Sequence, residues 1–357
     1  MKVCVPGISY NKMDKRDIKD LPLGELERAM AELDEPPYRA RQIFFWLYQR
    51  GVRDFSEMTN IPRPLIDKLD QNYSIAQPDP CEHQHSTDGT EKFLFKLQDT
   101  QFVETVLIPA ARRKTVCIST QVGCKLACSF CASGKEGFIR NLTPSEILNQ
   151  ILYLKHNLKH HITNYVFMGM GEPLDNYENV AKAIAIMNDA KGMKVGARRI
   201  TVSTSGIIPG IEKLKESDLQ VNLAVSLHAV SDKLRDTLMP INKRYPLEEL
   251  IQACEGFKSK TGRMMTLEYV LLKGINDSLE DADGLAAIAK RLKVKVNLIP
   301  YSEVPGLNFR TPERKDIGAF MKRLTHKGTK ATLRESKGKD IQAACGQLAG
   351  KIRAEEV

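Results

Sequence analysis

Cys124, Cys128 and Cys131 stand in the string GCKLACSFCASG, with CxxxCxxC spacing. Thiolates this close together can hold three corners of a 4Fe–4S cube. A fourth cysteine would close the cluster and leave it an electron carrier. With three, one iron keeps a position for an outside ligand, as a catalytic metal does. A ligand bearing an amino and a carboxylate group can fill that position, and an electron from the cluster can then break a carbon–sulfur bond within it. The competing readings are a zinc site or cysteines unrelated to one another.

The rest of the composition narrows the class. The chain has 357 residues, 42% hydrophobic and 27% charged, which fits one large core with a smaller domain. No stretch approaches the roughly 20 apolar residues that span a bilayer, so no membrane partner is expected. The segment MKVCVPGISYNKMDKRDIKD lacks an apolar signal-peptide core, and a cytosolic protein is expected. Eight cysteines in such a chain read as metal ligands or redox groups rather than a disulfide scaffold. The formal charge of +9 suits either a polyanionic partner or simple solubility.

Several elements must position these cysteines. Leu21, Leu26, Met30 and Leu33 recur at helical spacing, and Tyr38 to Tyr48 form an aromatic-rich helix. Pro62 and Pro64 break the chain before Leu65–Leu69. Arg39, Arg41, Arg50 and Arg53 of this small helical region either face RNA or form a solvated face. Two β-like runs, 92–97 and 102–108, flank a short polar turn and predict a hairpin.

From Thr115 onward, β-branched runs near 116–118, 165–168, 200–203, 223–227, 266–270 and 294–299 alternate with helical patterns. Thr143-Pro144-Ser145-Glu146 makes a capping box for a helix over 147–154. Six βα units with right-handed crossovers predict a parallel barrel or partial barrel, with chemistry at the C-terminal strand ends. The cysteine loop follows the first strand, where that rule places it.

Other strand ends carry polar punctuation. Met168-Gly169-Met170-Gly171-Glu172-Pro173 follows the second strand; its glycines admit close backbone approach to a ligand, and its carboxylate can hold an ammonium group. A tight structural turn is the alternative. Ser203 ends the third strand, and Ser226-Leu227-His228 the fourth. An isolated histidine is more often structural, but this position inside SLH favours ligand contact.

The cysteine spacing resembles the radical-SAM signature, in which S-adenosylmethionine (SAM) fills the open iron and yields a 5′-deoxyadenosyl radical. The likeness then tightens. VETVLIP, CISTQVGCKLACSFCASGKEGFIRNLTPSEI, VFMGMGEPLDN, RRITVSTSG, SLHA with RDTLMPINK, VNLIPY and GKDIQAACGQLAG occur in this order. From about Tyr38 to Ile352 the chain resembles the RlmN/Cfr family of radical-SAM RNA methyltransferases, its RlmN branch more than its Cfr branch.

The resemblance implies an α/β fold: a partial (β/α)6 radical-SAM barrel with a small N-terminal helical domain and a β-hairpin linker. The expected divisions are 1–85 helical, 86–109 hairpin, 110–335 radical-SAM core, and 336–357 a C-terminal segment carrying Cys345. RlmN-type members methylate carbon 2 of an adenosine in 23S rRNA, some also the adenosine beside the tRNA anticodon; Cfr-type members act on carbon 8. Carbon 2 lies between two ring nitrogens and is electron-poor, so an ordinary methyl displacement fails there while a carbon radical adds. The resemblance therefore implies one 4Fe–4S cluster on Cys124, Cys128 and Cys131, two SAM per turnover, and an external one-electron reductant of flavodoxin or ferredoxin type.

It further implies that Cys345 takes a methyl group, loses a hydrogen atom from it, and cross-links to RNA through the methylene carbon. Glu104 matches the family's proton acceptor. Cys117 matches the thiol that frees the product by a disulfide with Cys345, reduced again each cycle. By residue type alone Glu104 reads as a solvent-facing strand residue and the two cysteines as inert. SAM contacts carried over are Gly171, Glu172, Ser203, Ser226, Leu227 and His228. The family's usual asparagine after IPY is here Ser302, a shorter hydrogen-bonding group. Cys4, Cys81 and Cys254 match no motif and are left structural. A zinc-containing RNA-binding protein without catalysis is the alternative from another class.

Overall fold

The computed structural model describes residues 15–77 and 79–350. Cys4 lies outside them. The N-terminal region holds β1 (Arg16–Asp17), α1 (Leu23–Glu32), α2 (Tyr38–Phe45), α3 (Arg63–Asn72) and β2 (Tyr73–Ser74). Parallel pairing of β1 with β2 ties its two ends together. Pro62 caps α3 and Pro64 lies in its first turn, so these prolines open the helix. The aromatic helix runs past α2 as a π-turn over Trp46–Arg50, closed by Gly51 at φ 69°.

Leu26, Met30, Leu65 and Leu69 are buried, and the buried rings of Phe44 and Tyr48 meet edge to face at 4.6 Å. The arginines considered for RNA are engaged locally. Arg41 pairs with Glu27, Arg53 with Asp79, Arg39 with Gln42, and Arg50 lies over Phe45.

A meander of β3 (Pro80–His85), β4 (Glu91–Lys96), β5 (Phe102–Ala110) and β6 (Arg113–Cys117) leads into the main sheet. The expected hairpin is β4–β5, and β3 pairs along β4 across the division placed at residue 85. A two-stranded clasp, β7 (Gln121–Gly123) with β8 (Phe138–Asn141), brackets the short α4 (Ala132–Lys135). Next comes α5 (Pro144–Leu152), opened by the expected capping box of Thr143 and Glu146.

The remaining chain alternates: β9 (Asn164–Phe167), α6 (Tyr177–Asn188), β10 (Ile200–Thr204), α7 (Ile208–Glu216), β11 (Asn222–Ser226), α8 (Asp232–Leu238), α9 (Leu247–Thr261), β12 (Met265–Leu271), α10 (Leu279–Leu292), β13 (Lys295–Pro300), α11 (Arg314–His326) and β14 (Ala331–Leu333). The sheet order is β14-β13-β12-β11-β10-β9-β6-β5-β4-β3, parallel from β6 through β14. The six expected parallel strands are all present, and β14 adds a short seventh. β14 and β3 form the two edges, so the barrel stays open. Strands such as β12, MTLEYVL, are buried almost throughout because helices and the barrel interior cover both faces.

One hydrophobic core joins the N-terminal helices to the sheet. Polar anchors fix that junction. The buried Lys19 ammonium donates to Asn149 Oδ1 at 2.5 Å and to the Ala76 carbonyl at 2.6 Å. Asp20 accepts from the Ser145 N–H at the start of α5, 2.8 Å away.

A second buried cation fixes the strand ends. Arg235 on α8 is wholly buried. It donates to the carbonyls of Leu227 (3.1 Å), Ser205 (2.7 Å) and Ser226 (3.3 Å), and to Asn242 Oδ1 (2.9 Å). Asn242 in turn donates to Asp232 and Asp236. One planar fork thus satisfies carbonyls beyond both β10 and β11, a geometry that lysine cannot reproduce. Arg235→Met should lower unfolding stability by about 3 kcal/mol or more, because the carbonyls stay buried without a donor. Urea unfolding measures it, and an unchanged midpoint would refute the role; Arg235→Lys should recover little.

Candidate active site

Cys117 is the last residue of β6, and Ile118–Thr120 carry the chain into β7. Pairing of Gln121 with Asn141 and Val122 with Arg140 pinches the loop that holds Cys124, Cys128 and Cys131. Gly123 sits at φ 71° with its Cα against the Gly137 carbonyl, so a side chain there would collide with backbone. Inside the loop, Cys124 N–H donates to Gly137 O (2.8 Å) and Cys131 N–H to Cys128 O (3.1 Å).

Burial pushes the Cys124 thiol up to about 12 and raises those of Cys128 and Cys131, with mutual repulsion adding to the shift at Cys128. A bound metal cation would offset that cost and hold the three sulfurs as thiolates. None of the described cysteines is in a disulfide. The donor set therefore fits an iron–sulfur cluster held at three corners.

Across the barrel mouth, Glu172 is buried. Its Oε1 accepts from Leu174 N–H (3.0 Å) and its Oε2 from Ser205 N–H (2.7 Å). Burial nonetheless pushes its pKa up to about 7. A fixed, half-neutral carboxyl wants a cation beside it, and an ammonium group fits. Gly171, at φ 93°, lies so close to the Gln121 side chain that any added Cβ would clash.

Ser226 and Glu268 lie side by side in register, as do Glu268 and Asn297, and such neighbours share one face of the sheet. Ser203 is half-buried on β10, while Leu227 and Ser302 are buried beyond their strands. His228 holds φ 59°. Its Nδ1 accepts from Val270 N–H at 3.0 Å, and burial pushes its pKa down to about 3. The ring is therefore neutral with its proton on Nε2. Its edge meets Phe130 of the cysteine loop at 5.1 Å.

The C-terminal segment closes over this loop. Ala132 N–H donates to Gly346 O (2.8 Å) and Ser133 Oγ to Leu348 O (2.6 Å). Cys345 is thereby held at a cavity of about 90 Å³ that Cys117, Cys131, Met168 and Arg334 also line. Cys117 is buried and Cys345 exposed; burial pushes the Cys117 thiol up to about 12. The Arg334 guanidinium faces Cys345 and Cys117 and lies 3.7 Å from Glu268 Oε2. Arg334, the first cation of the basic run Arg334–Lys339, thus turns inward.

Glu104 is also buried, not solvent-facing. Its Oε1 meets Lys92 Nζ at 3.0 Å, and its Oε2 accepts from the N–H groups of Ala349 (2.7 Å) and Gly350 (3.0 Å). Among the expected residues, the cysteine trio, Glu172, His228 and the pair Cys117/Cys345 converge on one end of the barrel. Lys92, Arg235, Glu268 and Arg334 were not singled out individually. Each is a charged residue inside an ordinary strand, helix or charge run, and only tertiary burial marks it.

Comparison with known proteins agrees with this geometry. The family model for the radical SAM superfamily matches residues 118–286, and that for the ribosomal RNA large subunit methyltransferase N-terminal domain matches residues 16–75. A dual-specificity RNA methyltransferase RlmN from Pelobacter propionicus is 47% identical over 341 residues, covering 96% of this chain and 98% of its own. That from Syntrophus aciditrophicus is 45% identical over 347 residues, covering 97% and 99%. The crystal structure of a radical SAM methyltransferase from Sphaerobacter thermophilus superposes with a TM-score of 0.90 at 44% identity, covering 94% of this chain and 100% of that one. The chain belongs to the RlmN family of dual-specificity RNA methyltransferases, within the radical SAM superfamily.

Proposed function

We propose that this chain methylates carbon 2 of an adenosine in 23S rRNA, and the adenosine beside the anticodon in tRNA, through a transient protein–RNA cross-link. The observation that carries this reading is the single cavity lined by Cys117, Cys345 and the cluster ligand Cys131. In this reading Cys124, Cys128 and Cys131 hold a 4Fe–4S cluster. Gly171, Glu172, Ser203, Ser226, Leu227, His228 and Ser302 receive SAM, with Glu172 taking its ammonium group. When bound, cluster and SAM supply a 5′-deoxyadenosyl radical, driven by an external one-electron reductant of flavodoxin or ferredoxin type, and a second SAM per turnover supplies a methyl group.

The remaining work falls to side chains of this chain. Cys345, exposed and facing Arg334, accepts the methyl group on its sulfur as a thiolate nucleophile. After a hydrogen atom leaves that methyl group, its methylene carbon bonds to carbon 2 of the base. The ring adduct must lose one electron, for which the bound cluster would be the acceptor, and its ring proton passes to Glu104 once Ala349 and Gly350 release its Oε2. Cys117 then attacks the Cys345 sulfur. The sulfur–methylene bond breaks, its electron pair stays on carbon, and protonation there completes the methyl group. The product disulfide must be reduced before the next cycle, as a reducing cytosol allows.

Anaerobic reaction with both RNA classes, followed by nucleoside analysis, tests the reading. It requires 2-methyladenosine; 8-methyladenosine would place the chain with the Cfr-type reaction. Cys117→Ala should leave methylation of Cys345 intact and accumulate protein covalently joined to RNA, visible as a shifted band on denaturing gels. Normal turnover by that variant would refute the release role. Cys128→Ala should lose iron, sulfide and all RNA methylation while its circular dichroism stays near wild type. Retained methylation would remove the cluster from this site.

A further inference from the structure

Far from the cysteine loop, on the edge of the sheet, three histidines surround one carboxylate. His83 and His85 lie two residues apart on β3 and so share a face, and Glu91 on β4 is the direct partner of His85. His83 Nε2 is 2.8 Å from Glu91 Oε2, and His85 Nδ1 is 3.9 Å from the same oxygen. These three ligand atoms all fall within 4.8 Å of one another. We propose that His83, His85 and Glu91 form a second metal site, for a divalent transition cation such as zinc.

The surroundings are arranged as such a site needs. Two imidazoles and one carboxylate are a donor set that suits zinc, copper, iron or nickel and leaves positions open for water. The His83 ring is stacked on Phe93 at 4.2 Å, which fixes its orientation. His160, from the connection between α5 and β9, places Nε2 at 3.4 Å from Glu91 Oε1, while Lys114 Nζ lies 3.4 Å from its Nδ1.

Lys114 at Nδ1 leaves the His160 proton on Nε2, which lies 3.4 Å from Glu91 Oε1, while the other carboxylate oxygen lies toward His83 and His85. Ligands backed by an outer polar partner are a recurrent feature of metal sites. The Lys114 cation lies on the far side of His160, at its Nδ1, away from the ligand atoms. A bound cation would join β3, the unprotected sheet edge, to β4, and through His160 to the connection that covers them.

The test uses the anaerobically purified protein with its cluster assembled, dialysed against micromolar zinc sulfate, with zinc and iron counted by elemental mass spectrometry. Wild type should retain one zinc ion per chain with iron unchanged. The double variant His83→Gln/His85→Gln should retain none at the same iron content, and His160→Gln should bind zinc about 10-fold more weakly or worse. Should the double variant lose its iron, His85→Gln alone decides, since its side chain is 66% exposed; chelator competition must then show weakened zinc. No zinc on wild type, or zinc undiminished in these variants, overturns the site.

Discussion

The C-terminal segment is held over the cysteine loop by backbone and side-chain hydrogen bonds at four points, and the whole active end depends on that closure. Ala132 and Ser133, immediately after Cys131, donate to the carbonyls of Gly346 and Leu348. Ala349 and Gly350 donate to Glu104 on β5. These contacts join residues more than 200 positions apart in the chain, and they bring the sulfur of Cys345 to the same cavity as Cys117 and Cys131. Further bonds from Gln347 to Glu303, and from Ser86 and Thr87 to Asp340, anchor the same segment, and Cys345 stays exposed between them. Without this closure the cysteine loop would lose its roof, and with it the exclusion of water that radical chemistry requires.

Beneath that roof the barrel mouth is shaped by buried charge. Arg235 gathers the carbonyls that follow β10 and β11, so the serine ends of those strands cannot splay. Glu268 on β12 accepts from Asn297 at 2.8 Å and from Thr266 at 3.1 Å through one oxygen, while the other faces Arg334. Arg334 in turn faces both reactive thiols. Buried charge thus runs from Glu268 on β12 through Arg334 to the C-terminal segment, and its contacts depend on the strands keeping their register.

The parallel strands were legible because each is a β-branched run closed by turn residues, a local signal that survives without context. β14 was not: Ala331–Leu333 is too short to show a period, and pairing with β13 alone makes it a strand. The three cysteines were legible from spacing, and Cys345, Cys117 and Glu104 only through family likeness. Lys92 and Glu104 lie diagonally across β4 and β5, in strands whose charged residues read as the wet side. The sequence pattern was sound for a two-stranded hairpin in water. The C-terminal segment covers that face, and nothing near residues 92–104 announces it. Arg235 and Arg334 fail the same way, since an arginine in a helix or a charge run is solvated far more often than buried.

The two cysteines of the proposed release step differ in a way that orders the reaction. Cys345 is exposed, open to methyl transfer, whereas Cys117 is buried and kept protonated by its surroundings. A thiol held neutral and out of solvent does not compete for the methyl group and resists oxidation until another sulfur is brought against it. Glu104 is restrained too, because its Oε2 is taken by Ala349 and Gly350. Those residues lie a few positions after Cys345, so the tail cannot carry Cys345 toward a nucleobase without straining the grip on Glu104. In the proposed reaction, a shift of the tail that advanced Cys345 would also free Glu104 Oε2.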